Sequence, residues 1–322
     1  MGHKLGIIGV GHVGELVLST AVHQNLYSDI VLIDTNENKA KGEALDQTHG
    51  TGFITRSNTN IINGTYEDLE DADVIIIAAT HQYPQGEIPA DRQELLKDNA
   101  TIFRQIMTDL IAVTKEPILI FISNPVDTAV YIAATEFGYP VHKVLGTGTT
   151  LDSARLKQFI ASHYMVDPKS VQAYMLGEHG YTAFPSYSQI TVGGMSYEDF
   201  DALYPEVKPL TRQQMMEHAV QTAYEVFHAK EGVTNAAVAQ AANEVARNIL
   251  LDEYTIQSVC SLIPKELYQL EADIVFGLPT VISKKGIVKH LAIPLDEIER
   301  SQLHQSIKAI QANIDLANTL TH

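Results

Sequence analysis

Cysteine is almost missing. Cys260 is the single one in 322 residues, which excludes an internal disulfide. Neither CxxC nor HExxH spacing occurs, so the sequence offers no metal cage and no metal is expected. Positive charge is scarce too: Lys and Arg number 22 against 39 Asp and Glu, a formal net charge of −17. Such a chain has no electrostatic footprint for nucleic acid or an anionic membrane surface. An anionic small molecule must then be captured by a few locally placed cations. No apolar run reaches the length of about 18 residues that a membrane-spanning helix needs. The start of the chain leads straight into a strand-like run, without the apolar core of a secretion signal or a basic presequence. With the lone cysteine, this makes the cytosol the expected compartment. Asn63-Gly64-Thr65 and Asn99-Ala100-Thr101 match a glycosylation pattern, and without a secretory signal they read as chance.

What the chain does have is 45% apolar residues and enough length for two domains that share a large core. Short β-branched runs at 5–10, 30–33, 74–78, 118–122 and 144–145 alternate with helical patterns through the first half. Continuous apolar strands are buried on both faces, and their alternation with helices implies a parallel sheet with right-handed crossovers. Residues 1–146 are therefore expected to form a doubly wound α/β domain. The spacing of Leu95, Leu96, Phe103, Ile106, Leu110 and Ile111 predicts a long helix over 91–115, ended by Pro117. Beyond 146 the texture changes. A helix from about Leu151 and strand-like stretches at 171–176 and 188–192 come first. Two helices over 211–251, two strands at 274–283 and 286–292 and a final helix over 295–320 follow. Residues 147–322 read as a mixed α+β domain. No repeat, low-complexity tract or linker intervenes, so the halves should pack tightly with a site between them.

The first strand feeds directly into Gly9-Val10-Gly11-His12-Val13-Gly14 and then a helix. Gly9 permits a tight turn, Gly11 lets the backbone approach a pyrophosphate, and Gly14 allows close helix–strand packing. The helix N-terminus then faces the phosphates. Asp34, twenty residues past Gly14 at the end of the next strand, would accept hydrogen bonds from ribose hydroxyls and repel a 2′-phosphate. The context makes this a Rossmann dinucleotide fingerprint and favours NAD over NADP; the bland reading of Asp34 is a solvated turn carboxylate.

Asp152 and Arg155 stand three apart in a helical segment and share a face. They read either as a plain helix ion pair or as two groups with separate tasks. In the second case Arg155 presents paired N–H groups to a substrate carboxylate, and Asp152 fixes the tautomer of His179. His179 lies in Gly177-Glu178-His179-Gly180, where small neighbours let a substrate come close. Its imidazole would protonate a 2-oxo group during reduction and take the hydroxyl proton in reverse. Asn124, in Ser123-Asn124-Pro125 after a buried strand, stands where strand ends meet a substrate crevice, and would orient the carbonyl or the imidazole or serve only as a turn residue.

Taken in order, GVGHVG, ISNPVD (122–127), GTGTTLDSAR (146–155) and LGEHG (176–180) resemble the L-lactate/malate dehydrogenase family, on its lactate side, over essentially the whole chain. The resemblance implies His179 as acid/base, Asp152 as its partner and Arg155 as carboxylate anchor. It adds Thr234 as a substrate-pocket threonine and Arg92 as the mobile-loop arginine that polarises the carbonyl. Gly9, Gly11, Val13, Gly14, Asp34 and Asn124 are the cofactor-binding set, and a homo-oligomer, dimer or tetramer, is implied. Two features depart from the lactate pattern: Tyr181 follows EHG in place of aspartate, and the loop 80–91 is about three residues longer. Which of Gln82, Tyr83, Pro84 or Gln85 faces the substrate side chain is therefore open. The apolar loop and Tyr181-Thr182-Ala183-Phe184 resemble an L-2-hydroxyisocaproate dehydrogenase, so a 2-oxo acid larger than pyruvate is the first expectation and pyruvate the alternative. Malate is disfavoured because residues 80–91 contain no Lys or Arg to pair a second carboxylate and do contain Glu87 and Asp91. A short-chain dehydrogenase would use Tyr139 and Lys143 as YxxxK, but Pro140 interrupts the helix. A catalytically silent NAD-binding protein is the remote alternative. Relatives activated by fructose 1,6-bisphosphate carry a basic residue and a histidine at the positions of Lys157 and Gln172, so strong activation is not expected.

Overall fold

The computed structural model describes residues 2–82, 92–230 and 234–319, with the side chains of 92–95 excepted. The first half builds β1 (His3–Ile8), α1 (Gly14–Gln24), β2 (Tyr27–Ile33), α2 (Glu37–Gly50), β3 (Asn60–Asn63) and β4 (Val74–Ile77). It continues with α3 (Arg92–Ile111), β5 (Ile118–Phe121), α4 (Val126–Thr135) and β6 (Val144–Gly146). These strands lie parallel in the order β3-β2-β1-β4-β5-β6. The order reverses between β1 and β4, and there the C-terminal strand ends open a ligand crevice.

Alternation along each strand explains why the runs are apolar throughout. Leu5, Ile7, Val74 and Ile76 pack with α1 on one face, while Ile8, Ile75 and Ile77 pack with Phe103 and Met107 of α3 on the other. Both faces are covered, as a parallel sheet requires.

The second half begins with α5 (Thr150–Tyr164) and the short strands β7 (Val171–Gln172), β8 (Met175–Leu176), β9 (Phe184–Pro185), β10 (Thr191–Val192) and β11 (Met195–Ser196). The helices α6 (Tyr197–Asp201), α7 (Arg212–Lys230) and α8 (Ala236–Leu250) follow. The strands β12 (Thr255–Ile263), β13 (Ile274–Ser283) and β14 (Gly286–His290) and the helix α9 (Glu297–Asn318) complete it. Two expectations change here. The stretch 171–176 divides into β7 and β8, which belong to different small sheets, and 188–192 is strand only at its end. The nine-residue β12 has no counterpart among the sequence-based strands.

That strand matters most for the domain division. Cys260 of β12 pairs antiparallel with Gly146 of β6, so β12, β13 and β14 extend the parallel sheet to nine strands across the 146/147 boundary. Helix α8 also crosses over: Ala242, Val245, Ala246 and Ile249 share a core with Val17 and Leu18 of α1. The halves are thus joined by a sheet and by a helix face. No helix of the described residues is long and apolar enough to cross a membrane.

Candidate active site

The nucleotide end is built from the C-terminal ends of β1 and β2. Gly9 adopts φ +92°, and a Cβ there would stand 2.4 Å from the Ala79 nitrogen; a Cβ on Gly14 would stand 2.0 Å from the Gly9 oxygen. At Gly11 a Cβ would meet nothing within 4 Å, so that turn opens onto free space. Two glycines close the turn and the third leaves room beside it. Asp34 locks this geometry: its Oδ2 accepts from the Val10 N–H at 2.6 Å and its Oδ1 from the Asn36 N–H at 2.8 Å. A carboxylate at this strand end therefore shapes the glycine turn itself, a task that sequence reasoning did not assign to it. Val13 stands at the N-cap of α1, where the first free N–H groups are directed at a ligand. An open cavity of about 590 Å³ runs on from Asp34 between the ends of β2 and β3, lined by Ile33, Gly64 and Tyr66 and by the carboxylates of Glu37, Glu67, Asp68 and Asp109. The residues fit a dinucleotide with free ribose hydroxyls, because the bare turn accepts a pyrophosphate while the acidic lining opposes a further phosphate.

The acid/base end is assembled by α5 and the turn after β8. The Thr149 hydroxyl donates to the Met175 carbonyl at 2.6 Å, the Ser153 hydroxyl donates to the Thr149 carbonyl at 2.7 Å, and the Met175 N–H donates to Ser153 Oγ at 2.8 Å. These bonds tie the first turn of α5 to β8. The turn is fixed from the other side by Gly177 and Gly277, which exchange N–H···O bonds of 3.0 and 2.8 Å. Gly177 sits at φ +86°, and a Cβ there would fall 2.3 Å from Ser306 Oγ. Only glycine fits, and the histidine two residues on is held accordingly.

His179 Nδ1 and Asp152 Oδ2 are 2.7 Å apart, and Arg155 Nη1 donates to Asp152 Oδ1 at 3.0 Å. The helix ion pair is thus present, and Asp152 also holds His179 as the second reading expected. The Asp152 side chain is 9% exposed, Arg155 11% and His179 26%, so the imidazole is the most open of the three. Burial pushes the Asp152 carboxyl up, but His179 and Arg155 outweigh it and hold the group below its usual range. For His179, burial favours the neutral ring, yet the Asp152 charge and hydrogen bond, with Asp127, raise its proton affinity despite Arg155. An imidazole bonded through Nδ1 to a carboxylate keeps Nε2 for a substrate oxygen, and the charge partner favours its carrying a proton. Among the described residues no group of His, Cys, Asp or Glu is arranged to hold a metal ion.

Asn124 follows β5 with an exposed side chain, its carbonyl accepting from Asn99 Nδ2 at 3.0 Å. Asn99, which lies in α3, also accepts from the His81 N–H at 2.7 Å. It is buried, so the glycosylation match there is a packing residue. Thr234 immediately precedes Asn235, the N-cap of α8. Arg92 opens α3, and its side chain lies outside the described residues, as do Tyr83, Pro84 and Gln85. Tyr139 and Lys143 do not form a catalytic pair: the Tyr139 hydroxyl donates to the Pro117 carbonyl and Lys143 Nζ donates to the Glu116 carbonyl. Sequence reasoning passed over Asp127, Thr149, Ser153 and Gly277. The first three lie within motifs already quoted, while Gly277 comes from β13, with no local signal to single it out.

Residues 3–146 match the family model of the lactate/malate dehydrogenase NAD binding domain, and residues 149–321 that of the lactate/malate dehydrogenase alpha/beta C-terminal domain. The L-lactate dehydrogenase of Selenomonas ruminantium is 35% identical over 97% of both chains. L-lactate dehydrogenase 2 of Clostridium acetobutylicum is 35% identical over 98% of both. Among solved structures, MGS-M5, a lactate dehydrogenase from a Medee basin deep-sea metagenome library, superposes with TM-score 0.92 at 31% identity, covering 98% of this chain and 99% of that one. The minor L-lactate dehydrogenase of Enterococcus mundtii gives TM-score 0.90 at 32% identity over 98% of each. With a dinucleotide-type glycine turn after β1 and a carboxylate-held imidazole in the turn after β8, the chain belongs to the lactate/malate dehydrogenase family, on its lactate side, as an NAD-dependent L-2-hydroxy acid dehydrogenase.

Proposed function

We propose that the chain interconverts pyruvate and L-lactate. The observation that carries this is the His179–Asp152–Arg155 arrangement, in a chain whose relatives bear the name L-lactate dehydrogenase. When bound, the nicotinamide supplies or takes up the hydride. Arg155 holds the substrate carboxylate through paired N–H groups. His179 delivers a proton from Nε2 to the 2-oxo oxygen and takes it back in the oxidation, while Asp152 keeps the ring oriented. Asn124 and Thr234 line the substrate space, and Arg92 polarises the carbonyl. The turn of Gly9, Gly11, Val13 and Gly14 receives the pyrophosphate, and Asp34 the ribose hydroxyls. Residues 1–146 thus carry the cofactor and 147–322 most of the substrate chemistry. Phe53 and Ile54, exposed just beyond α2, support a homo-oligomer, since bare apolar side chains of this size favour a partner.

A spectrophotometric scan of 2-oxo acids with NADH tests the reading. Pyruvate should be the best substrate and L-lactate the product. His179→Ala should lose about 10²–10⁴-fold in turnover while NADH still binds, and near-parental turnover in that variant refutes the assignment.

A further inference from the structure

Asp127 stands in the first turn of α4, 4% exposed. Its Oδ2 accepts from the backbone N–H of His179 at 2.8 Å, across 52 residues of sequence. Its Oδ1 has no N–H or O–H partner among the described residues. The Cys260 thiol of β12 lies against the same carboxyl. A buried carboxylate with one oxygen unpaired is costly, and packing alone would be served better by an apolar side chain. Nor does Asp127 act as a helix cap, since its hydrogen bond goes to the turn after β8 and not to α4.

We propose that Asp127 is a second buried carboxylate serving His179, a positioning residue whose Oδ2 fixes the histidine main chain and whose negative charge is held beside the same residue. This rests on the reading of His179 as the proton donor. The imidazole is then flanked by two carboxylates with separate tasks: Asp152 on Nδ1, and Asp127 on the main-chain nitrogen that sets where the ring begins. The groups facing Asp127 are His179 and Glu178 from the turn after β8 and Cys260 from β12. Those facing His179 are Asp152 and Arg155 from α5 and Asp127 from α4. Burial pushes Asp127 up to about 7, against the His179 N–H bond and the His179 charge, which favour the carboxylate. The charge of each group therefore favours the opposite charge on the other. The two groups titrate as a coupled pair.

The sign follows from the charges. An ionised Asp127 favours imidazolium, so removing its charge lowers the His179 proton affinity and moves the alkaline limb of pyruvate reduction to lower pH. Asp127→Asn keeps an amide oxygen for the His179 N–H and removes the charge; Asp127→Ala removes both. In the Asn variant, NADH affinity, read by fluorescence, and the pyruvate KM should stay near parental values while the alkaline limb of kcat/KM shifts down. In the Ala variant kcat should fall about 10-fold or more, since an ångström of misplacement costs on the order of 10²-fold. A folded Asn variant whose pH profile matches the parent overturns the proposal. If neither variant folds, Cys260→Ala carries the test. Loss of the thiol leaves the Asp127 carboxylate less stabilised, so the limb should move the same way by less, and an unmoved limb overturns the proposal equally. His179→Ala, measured in parallel, separates the two ideas. An inactive His179→Ala beside an unmoved Asp127→Asn profile removes only Asp127, whereas an active His179→Ala removes the reading beneath it.

Discussion

Asp152 divides its carboxylate between two partners, Oδ2 with His179 Nδ1 at 2.7 Å and Oδ1 with Arg155 Nη1 at 3.0 Å. One buried anion therefore holds both the His179 imidazole and the Arg155 guanidinium in place. Asp152→Asn should lower kcat and raise the pyruvate KM together, with the alkaline limb of reduction displaced to lower pH because His179 loses its principal counter-charge. The same pair predicts a stability effect with a defined sign. The folded-state Asp152 carboxyl is held below the usual aspartate range by His179 and Arg155, so its contribution is present above that range and is lost as the pH falls through the folded value. Thermal melts of parent and variant should differ at pH 7 and converge in strong acid. A constant difference down to pH 2 would exclude ionisation of Asp152 as the source.

Arg155→Lys should act on binding more than on turnover. A lysine keeps the charge but presents a point ammonium where the guanidinium offers a planar fork, and it also forfeits the fixed bond to Asp152. The expected outcome is a pyruvate KM raised about 10- to 100-fold, the loss of a charge-assisted hydrogen bond of about 1.5–3 kcal/mol. Steady-state kinetics with an unchanged KM would count against the anchor role.

Asp34→Ser is expected to relax discrimination against NADPH, since the carboxylate and the acidic cavity beyond it oppose a 2′-phosphate. The Val10 N–H bond to Asp34 adds a second effect: the glycine turn should loosen, so NADH affinity should fall as well. Fluorescence titrations with both cofactors check this, and an unaltered preference for NADH would defeat it.

The first half of this fold was legible because its strands are buried on both faces and so carry unbroken β-branched runs between glycine turns. Of the small strands, β7, β8 and β10 were read only as parts of two longer stretches, and β9 and β11 not at all, since two-residue strands carry no periodicity of their own. β12 escaped for a different reason. Its sequence, TIQSVCSLI, mixes polar with apolar residues: the Ser258 hydroxyl donates to the Met175 carbonyl and lies 2.8 Å from the Thr149 hydroxyl inside the protein, so polarity there marks a buried network and not a solvent face. At the site, the motifs singled out His179, Asp152 and Arg155, which the structure brings together. The residues that hold those groups were read less well: Asp127 and Thr149 act through contacts 52 and 26 residues away, and spacing along the chain does not encode such contacts.

Fructose 1,6-bisphosphate should produce no large fall in the pyruvate KM. Lys157 is half-buried with its ammonium 5.7 Å from the Tyr174 ring centre, and burial lowers its proton affinity. Gln172, exposed on β7, brings no charge. Initial rates with and without the sugar bisphosphate decide the matter, and a KM drop of about tenfold would require a cation source elsewhere.

The Tyr181–Tyr224 stack bears on substrate size. Tyr181 follows the catalytic turn by two residues and is 54% exposed, and its ring is held parallel to Tyr224 on α7, itself 38% exposed. A ring braced in this way keeps its position, and where it borders the substrate it limits side-chain length. The parent enzyme should therefore prefer pyruvate to 2-oxoisocaproate in kcat/KM. Tyr181→Ala, with the brace removed, should shift that ratio toward the longer acid. The scale is about 0.8 kcal/mol, close to fourfold, for each methylene that gains a buried place. Because Tyr181 lies outside the His179–Asp152–Arg155 group, NADH affinity and the pH profile should not follow the change. Parallel kcat/KM series over straight and branched 2-oxo acids in parent and variant make the comparison. If the parent already turns over 2-oxoisocaproate as well as pyruvate, the stack is a floor for a large side chain and not a barrier to it, and the branched-acid reading replaces the pyruvate one while the acid/base assignment stands.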